Sequence, residues 1–187
     1  HVYLKNLKEA IEVGGTTHKV IYEEIRKLGR EYVSLYNTTR SFFESHKSFF
    51  LDLIKVEGKP ILINFVPENV YYWVLNVEYN IIDDLDRPRE IATFQIDVGN
   101  AERFGISYAN DKGEDIFPVI IHTAVLGGLE RFLFTLLDSA VRLERSGKKP
   151  MLPSWVSPVQ ARIIPVSKQF IEPAQRLLVE LEDAGIR

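Results

Sequence analysis

The chain has 187 residues, 45% hydrophobic and 26% charged, with a net charge of −3 and no cysteine. That length buries roughly 70% of the unfolded surface in one main core, with room for part of a second domain. The charge balance supplies no overall basic excess for nucleic acid, and the lack of cysteine excludes disulfides, thiolate chemistry and Cys-rich zinc sites within these residues.

Apolar residues Val20, Ile21, Ile25, Leu28, Tyr32 and Leu35 recur at helical spacing. A second helix is predicted over residues 41–54, with Phe42, Phe43, Phe49, Phe50 and Leu53 apolar. The two helices read as an outer layer, and His18 and His46, set among charged residues, are expected at the surface. After Gly58-Lys59-Pro60 the texture changes to strands, predicted at residues 61–66, 70–79, 91–98, 104–108 and 117–122. Turn-rich connectors between them predict antiparallel pairing, and the lack of a long crossover helix argues against a doubly wound parallel sheet.

A strongly amphipathic helix follows and should end near Gly147. Its core face is Leu129, Phe132, Leu133, Leu136, Leu137 and Ala140, with Asp138, Arg142 and Arg145 left wet. Basic Arg142, Arg145, Lys148 and Lys149 complement the helix C-terminus. Residues 148–158 form a proline-containing linker. A strand at residues 162–166 and a helix with Pro173 in its first turn and Ala174, Leu177, Leu178 and Leu181 on one face complete the chain. One strand and one helix cannot close a core. The predicted domains are therefore residues 1–147, a linker at 148–158, and the start of a second domain at 159–187.

Chemistry concentrates in FPVIIHTAVLGGLER, residues 117–131, an apolar strand that breaks at two glycines and restarts as a helix. His122 and Arg131 lie nine residues apart across that turn and can face one pocket, the first as metal ligand and the second as phosphate clamp. Gly127 and Gly128 at the helix start would let the backbone approach a phosphate closely. Alternatively, His122 is a hydrogen-bonded core residue and Arg131 pairs with a carboxylate such as Glu130. On the strand ATFQIDV, Thr93, Gln95 and Asp97 alternate as the polar face of a half-buried strand, and Trp73 suits a core position.

The segments HTAVLGGLERF, KKPMLPSWVSPVQARIIPVS and EYNIIDDLDRPREIATFQIDVGNAERFGISY, in their order, resemble threonyl-tRNA synthetases of the archaeal form over essentially the whole chain. The resemblance implies an α+β fold: the antiparallel class II synthetase catalytic sheet with flanking helices, then the first strand and helix of an α/β anticodon-binding domain. It implies ATP-dependent activation of threonine and its transfer to threonine tRNA. Arg131 would grip the nucleotide's terminal phosphate, with Mg2+ offsetting charge, and Gln95 would be the second catalytic residue. Thr93 and Gln95 would contact the ribose and the threonine pocket, Trp73 would stand in a pocket position, and Gly127 and Gly128 would flank the nucleotide.

Zinc in that family is held by one Cys and two His. His122 and His1 match the two His positions, and the Cys would lie outside this chain. Such a metal is well suited to the task, because threonine and valine are nearly isosteric and only recognition of the hydroxyl separates them strongly. At two positions the chain departs from bacterial members: Trp73 replaces a tyrosine and Glu90 a glutamine. The first and second motifs of the class, and most of the anticodon domain, are expected outside the chain, which on its own should not activate threonine. A non-catalytic paralogue serving as a binding or regulatory module, or a synthetase for proline or histidine, is the alternative. A cytoplasmic homodimer is expected, with no membrane partner, since apolar runs such as residues 132–137 fall far below the ~20 residues of a span.

Overall fold

The computed structural model describes residues 1–187 and divides into two compact units, His1–Ser139 and Ala140–Arg187. In the first unit the elements run β1 (Val2–Leu4), α1 (Leu7–Lys27), β2 (Val33–Thr39), α2 (Arg40–Ser45), α3 (Lys47–Glu57), β3 (Leu62–Val66), β4 (Trp73–Ile82) and β5 (Pro88–Asp97). They continue with α4 (Asn100–Arg103), β6 (Tyr108–Ala109), β7 (Asp115–Ile116), β8 (Val119–Ala124) and α5 (Leu129–Arg145), which runs on into the second unit. Six strands form one sheet in the order β1-β8-β5-β4-β2-β3. Every neighbouring pair is antiparallel except β2 and β3. The architecture is α+β, a mainly antiparallel sheet with flanking helices.

Alternation along the central strands separates two faces. Leu75, Val77, Tyr79 and Ile81 of β4 and Phe94 and Ile96 of β5 are fully buried, and α1 and α3 cover that side with Ala10, Ile21, Ile25, Phe50 and Leu53. Gly14 of α1 fits there because a Cβ would already touch Phe49, Phe94 and Ile96 at 3.5 to 3.6 Å. Asn6 caps α1 by accepting from the Glu9 N–H at 2.9 Å, and Thr39 caps α2 by accepting from the Phe42 N–H at 3.3 Å.

Several sequence expectations need correction. The first helix ends at Lys27, and Gly29 in a left-handed conformation turns the chain into β2, so Tyr32 and Leu35 lie outside it. Their helical spacing was coincidental; Ser34, Tyr36 and Thr38 alternate inward as a strand does. With β2 in the sheet, α2 and α3 become the crossover to the parallel strand β3. The predicted helix at residues 41–54 is two helices, divided at His46. The predicted strand at residues 104–108 is largely a turn that follows α4, with only the short ribbon β6–β7 nearby.

His18 is not a surface residue. It is fully buried, with Nδ1 against the Tyr79 hydroxyl and Nε2 2.9 Å from the Leu53 carbonyl. Burial lowers its pKa and outweighs the opposing pull of Glu57. Glu57, buried too, accepts from the Ser34 and Tyr36 hydroxyls, so the core carries a satisfied polar cluster. Burial, then the Glu57 charge, raises the pKa of Tyr36.

The α5 helix forms as predicted, but Leu129, Leu133 and Leu137 of its expected core face are 70%, 48% and 61% exposed. Periodicity identifies an apolar face without identifying what covers it. Leu136 is buried, and Asp138, expected in water, is an enclosed partner of Arg30 at 2.6 Å. In the second unit the 3-10 turns Ser154–Val156 and Lys168–Phe170 precede α6 (Ile171–Asp183). The predicted strand at residues 162–166 does not form. Those residues have no strand to pair with, and Ile164 and Val166 stay exposed.

Candidate active site

The face of the sheet turned away from α1 and α3 is polar. Register places Asn64, Asn37, Asn76, Gln95 and His122 directly opposite one another across β3, β2, β4, β5 and β8. Cross-strand partners point to the same side, so these five form one row. A neighbouring row runs from Leu35 through Glu78 and Thr93 to Ala124.

Hydrogen bonds join the rows. Asn64 Nδ2 donates to Asn37 Oδ1 at 2.9 Å, and Asn37 Nδ2 and Asn76 Nδ2 both donate to Glu78 Oε1, at 3.0 and 2.9 Å. Gln95 Nε2 donates to Asn76 Oδ1 at 3.1 Å, and the Tyr72 hydroxyl donates to Gln95 Oε1 at 2.8 Å. The Thr93 hydroxyl lies 2.8 Å from the Val77 carbonyl and 3.2 Å from Asn76 Oδ1. Thr93, Gln95, Glu78 and His122 are only half-buried, so the floor is ordered yet open to solvent.

At one end of the row stand two imidazoles, His1 and His122, with ring centroids 4.7 Å apart and planes perpendicular. His122 Nε2 lies 2.6 Å from Asp97 Oδ2. Asp97 is itself fixed, because its Oδ1 accepts the Gly99 and Asn100 N–H groups at 2.9 Å each, and its side chain has no exposure. A histidine held at one nitrogen by a buried carboxylate presents the other to a metal. The donor set therefore fits two ligands of a zinc site. No group of three metal-binding side chains comes together in the chain.

Arg131 stands at the other end of β5, and its placement has a local cause. The bulge between Tyr79 and Asn80 skips Ile91, and the Ile91 carbonyl then faces Gly127. A Cβ on Gly127 would meet that oxygen at 3.0 Å, and its φ of 69° also favours glycine. The turn thus seats against the bulge and starts α5 with Arg131 beside β5. Arg131, Arg89, Glu130 and Phe134 line a cavity of about 300 Å3. Glu90 feels the Arg131 charge, yet partial burial and then the charge of Glu78 push its pKa up. Glu90 interacts in turn with Thr93 of the polar face. At ~3.3 Å per residue, Glu90 and Gln95 are roughly 16 Å apart, a span for an elongated ligand.

Of the residues singled out from sequence, Thr93, Gln95, His122 and His1 border this face, while Gly127 sits against Ile91 and Arg131 lines the cleft with Arg89. Gly128 is exposed beside Glu130, and Trp73 is buried, its ring stacked on Tyr71 at 4.5 Å. Tyr72, its neighbour, reaches Gln95 instead. Sequence reasoning did not single out Tyr72, Asn76, Glu78, Arg89 or the Asp97 contact to His122. The alternation Asn76, Glu78, Asn80 on β4 was the available signal.

Residues 8–140 match the family described as tRNA synthetase class II core domain (G, H, P, S and T). Over 187 residues the chain is 58% identical to the threonine–tRNA ligase of Thermofilum pendens and 54% identical to that of Pyrobaculum calidifontis. It is covered completely in both comparisons but spans only 31% of each of those proteins. A crystal structure described as the RNA binding domain of threonyl-tRNA synthetase from Cryptosporidium parvum superposes with a TM-score of 0.64 at 26% identity. That match covers 97% of this chain and 45% of the other.

Proposed function

Because the chain belongs to the family of class II tRNA synthetase core domains, we propose that it is part of a threonine–tRNA ligase that joins threonine to the adenylyl group of ATP with release of pyrophosphate and passes the threonyl group to tRNA with release of AMP. The observation that carries this reading is the open polar row with paired imidazoles at its β8 end and a guanidinium cleft near the start of β5. The names of its relatives support it.

In this reading threonine lies over Gln95 and Tyr72 beside His122, and ATP extends along β5 toward Arg131. Thr93 contacts the ribose. Arg131 offers its planar fork to the terminal phosphate, Mg2+ shares that charge, and Gly127 and Gly128 keep the turn narrow beside the nucleotide. Zinc, when held by His122, His1 and an outside ligand, would supply a Lewis acid for the amino and hydroxyl groups of threonine. Asp97 keeps the His122 ring oriented for that ligand. Alignment of the carboxylate and the α-phosphate does the rest, and no side chain here is placed as a covalent nucleophile. Residues 148–158 link this core to an anticodon-binding region beginning at 159. The working form is a cytoplasmic homodimer, and no helix of the chain is long and apolar enough to cross a membrane.

The test is ATP–pyrophosphate exchange by the full-length protein carrying this chain. Threonine should support exchange, and valine should do so roughly four orders of magnitude less well. Exchange driven by proline or histidine, or by no amino acid, overturns the reading.

A further inference from the structure

The cleft that holds Arg131 has walls from two parts of the chain. Glu130, Arg131 and Phe134 come from α5, and Arg89 comes from the hairpin that joins β4 to β5. Arg89 is fixed within its own wall, because its Nε donates to Asp83 at 2.8 Å. The buried Asp83 carboxylate also accepts the Leu85 and Arg87 N–H groups at 2.9 and 3.0 Å and Arg87 Nε at 3.1 Å. The width of the cleft is therefore the distance between the hairpin and the helix.

One guanidinium from a third segment bonds both walls. Arg30, in the connection between α1 and β2, donates from one terminal nitrogen to the Ile82 carbonyl of the hairpin at 2.8 Å and to Asp138 Oδ2 of α5 at 2.6 Å. Its other terminal nitrogen donates to the Ser139 hydroxyl at 3.3 Å. Asp138 Oδ1 in turn accepts the Asp84 N–H of the hairpin at 3.4 Å. The Arg30 and Asp138 side chains are only 8% and 7% exposed, so the planar fork is enclosed among partners that suit one geometry.

Asp138 follows Arg131 by seven residues, which is two helical turns, and Thr135 stands buried between them with its hydroxyl donating to the Arg131 carbonyl at 2.8 Å. The three share one stripe of α5. Leu129, Leu133 and Leu137 lie across the helix from that stripe and stay exposed, so within this chain α5 is seated by the stripe and by the Gly127 turn at its start.

Building on the reading of Arg131 as the clamp on the terminal phosphate, we propose that Arg30 is a positioning residue that ties α5 to the hairpin and so sets where Arg131 meets the β- and γ-phosphates of ATP. Arg30 itself lies outside the cleft and touches no substrate. Arg30→Met removes the tie and leaves Asp138 enclosed without its cation, which drives the helix away from the hairpin.

The experiment uses the full-length protein with Arg30→Met, Arg30→Lys, Arg131→Ala and the Arg30→Met/Arg131→Ala double variant. Three quantities are read: the KM for ATP and the KM for threonine in pyrophosphate exchange, and the inhibition constant of AMP, which lacks the β- and γ-phosphates. A misplaced charged contact predicts that Arg30→Met raises the KM for ATP about 10- to 100-fold. The threonine and AMP values should move less than about twofold, since neither ligand reaches Arg131. Arg30→Lys keeps the charge opposite Asp138 without the fork and should show a smaller rise than Arg30→Met.

In the Arg131→Ala background, Arg30→Met should add less than about twofold to the KM for ATP, because both changes remove one contact. A protein that is merely destabilised loses active fraction, which lowers kcat and leaves KM in place. Unchanged KM for ATP, equal losses for ATP and AMP, or multiplicative losses in the double variant overturn the proposal. If Arg30→Met does not fold, Arg30→Lys replaces it in each comparison. Arg131→Ala with an unaltered KM for ATP overturns the reading of Arg131 itself, whereas a raised value there with no effect of Arg30→Met overturns only the role of Arg30.

Discussion

Asp97→Asn changes one atom and should invert the chemistry of His122. Asp97 Oδ1 accepts two backbone N–H groups at 2.9 Å each, and an asparagine oxygen can keep both. The other position changes from an acceptor 2.6 Å from His122 Nε2 to an NH2 donor. Nε2 must then offer a lone pair, which moves the imidazole proton to Nδ1, the nitrogen otherwise available to a metal. Stability should fall modestly, by about 1 to 2 kcal/mol for one charge-assisted bond replaced by a neutral one. Asp97→Ala removes three hydrogen bonds and should cost about 4 kcal/mol. The larger effect of Asp97→Asn is on the metal: zinc affinity should drop about 10- to 100-fold, the usual consequence of losing an orienting partner behind a histidine ligand. Competition with a chromophoric chelator on the full-length protein measures that affinity, and urea unfolding measures the stability. Zinc bound by Asp97→Asn within twofold of wild type would show that His122 is not oriented through this carboxylate.

Gly127→Ala forces a Cβ against the Ile91 carbonyl at a positive φ; it should cost about 2 to 4 kcal/mol in chemical denaturation and raise the KM for ATP by displacing Arg131, and an unchanged KM would refute the seating of the turn on the bulge. Glu90 has its pKa raised in the fold by partial burial and by Glu78, so its ionised form opposes folding, an effect absent below the unfolded carboxyl value and complete above the raised one. Glu90→Gln should therefore stabilise the protein at pH 7 and lose that advantage near pH 4, as read by urea unfolding at both values. His18 has a lowered pKa, so the unfolded chain takes up a proton there first, and stability should decline as pH falls below 6.5 toward the depressed folded value. His18→Gln should be less stable at pH 8 but show a flatter dependence between pH 7 and 5, and an unaltered slope would refute His18 as its source.

What periodicity resolved, and what it did not, follows from how far each signal reaches along the chain. Strands β4, β5 and β8 carry their own alternation and turn residues, so their existence and antiparallel order could be read locally. The β2 strand could not. Its residues 33–39 follow a strong helix with no proline to stop it, and Leu28, Tyr32 and Leu35 continue the helical spacing by chance; only Gly29 marks the break. His18 was misplaced for a related reason. Charged neighbours on α1 suggest exposure, but a helix buries one stripe, and His18 shares that stripe with Gly14, Ile21 and Ile25. Its partners Tyr79, Leu53 and Glu57 come from other elements, and no local pattern announces them.

The site divides along the same line. His122 and Arg131 stand out in the sequence because one strand and one helix start set their spacing, and Gln95 through the family resemblance, while the groups around them are remote in sequence and meet only through register. Gln95 faces Asn76 because β4 pairs with β5 around a bulge, and Asp97 reaches His122 because β5 pairs with β8. The bulge does double service, since the skipped Ile91 supplies the carbonyl against which Gly127 packs. A change that straightened β4 against β5 would shift Thr93 relative to Glu78 and would also free the turn that carries Arg131. Substitutions at the bulge should therefore weaken amino acid and nucleotide binding together, whereas Tyr72→Phe should weaken only the first.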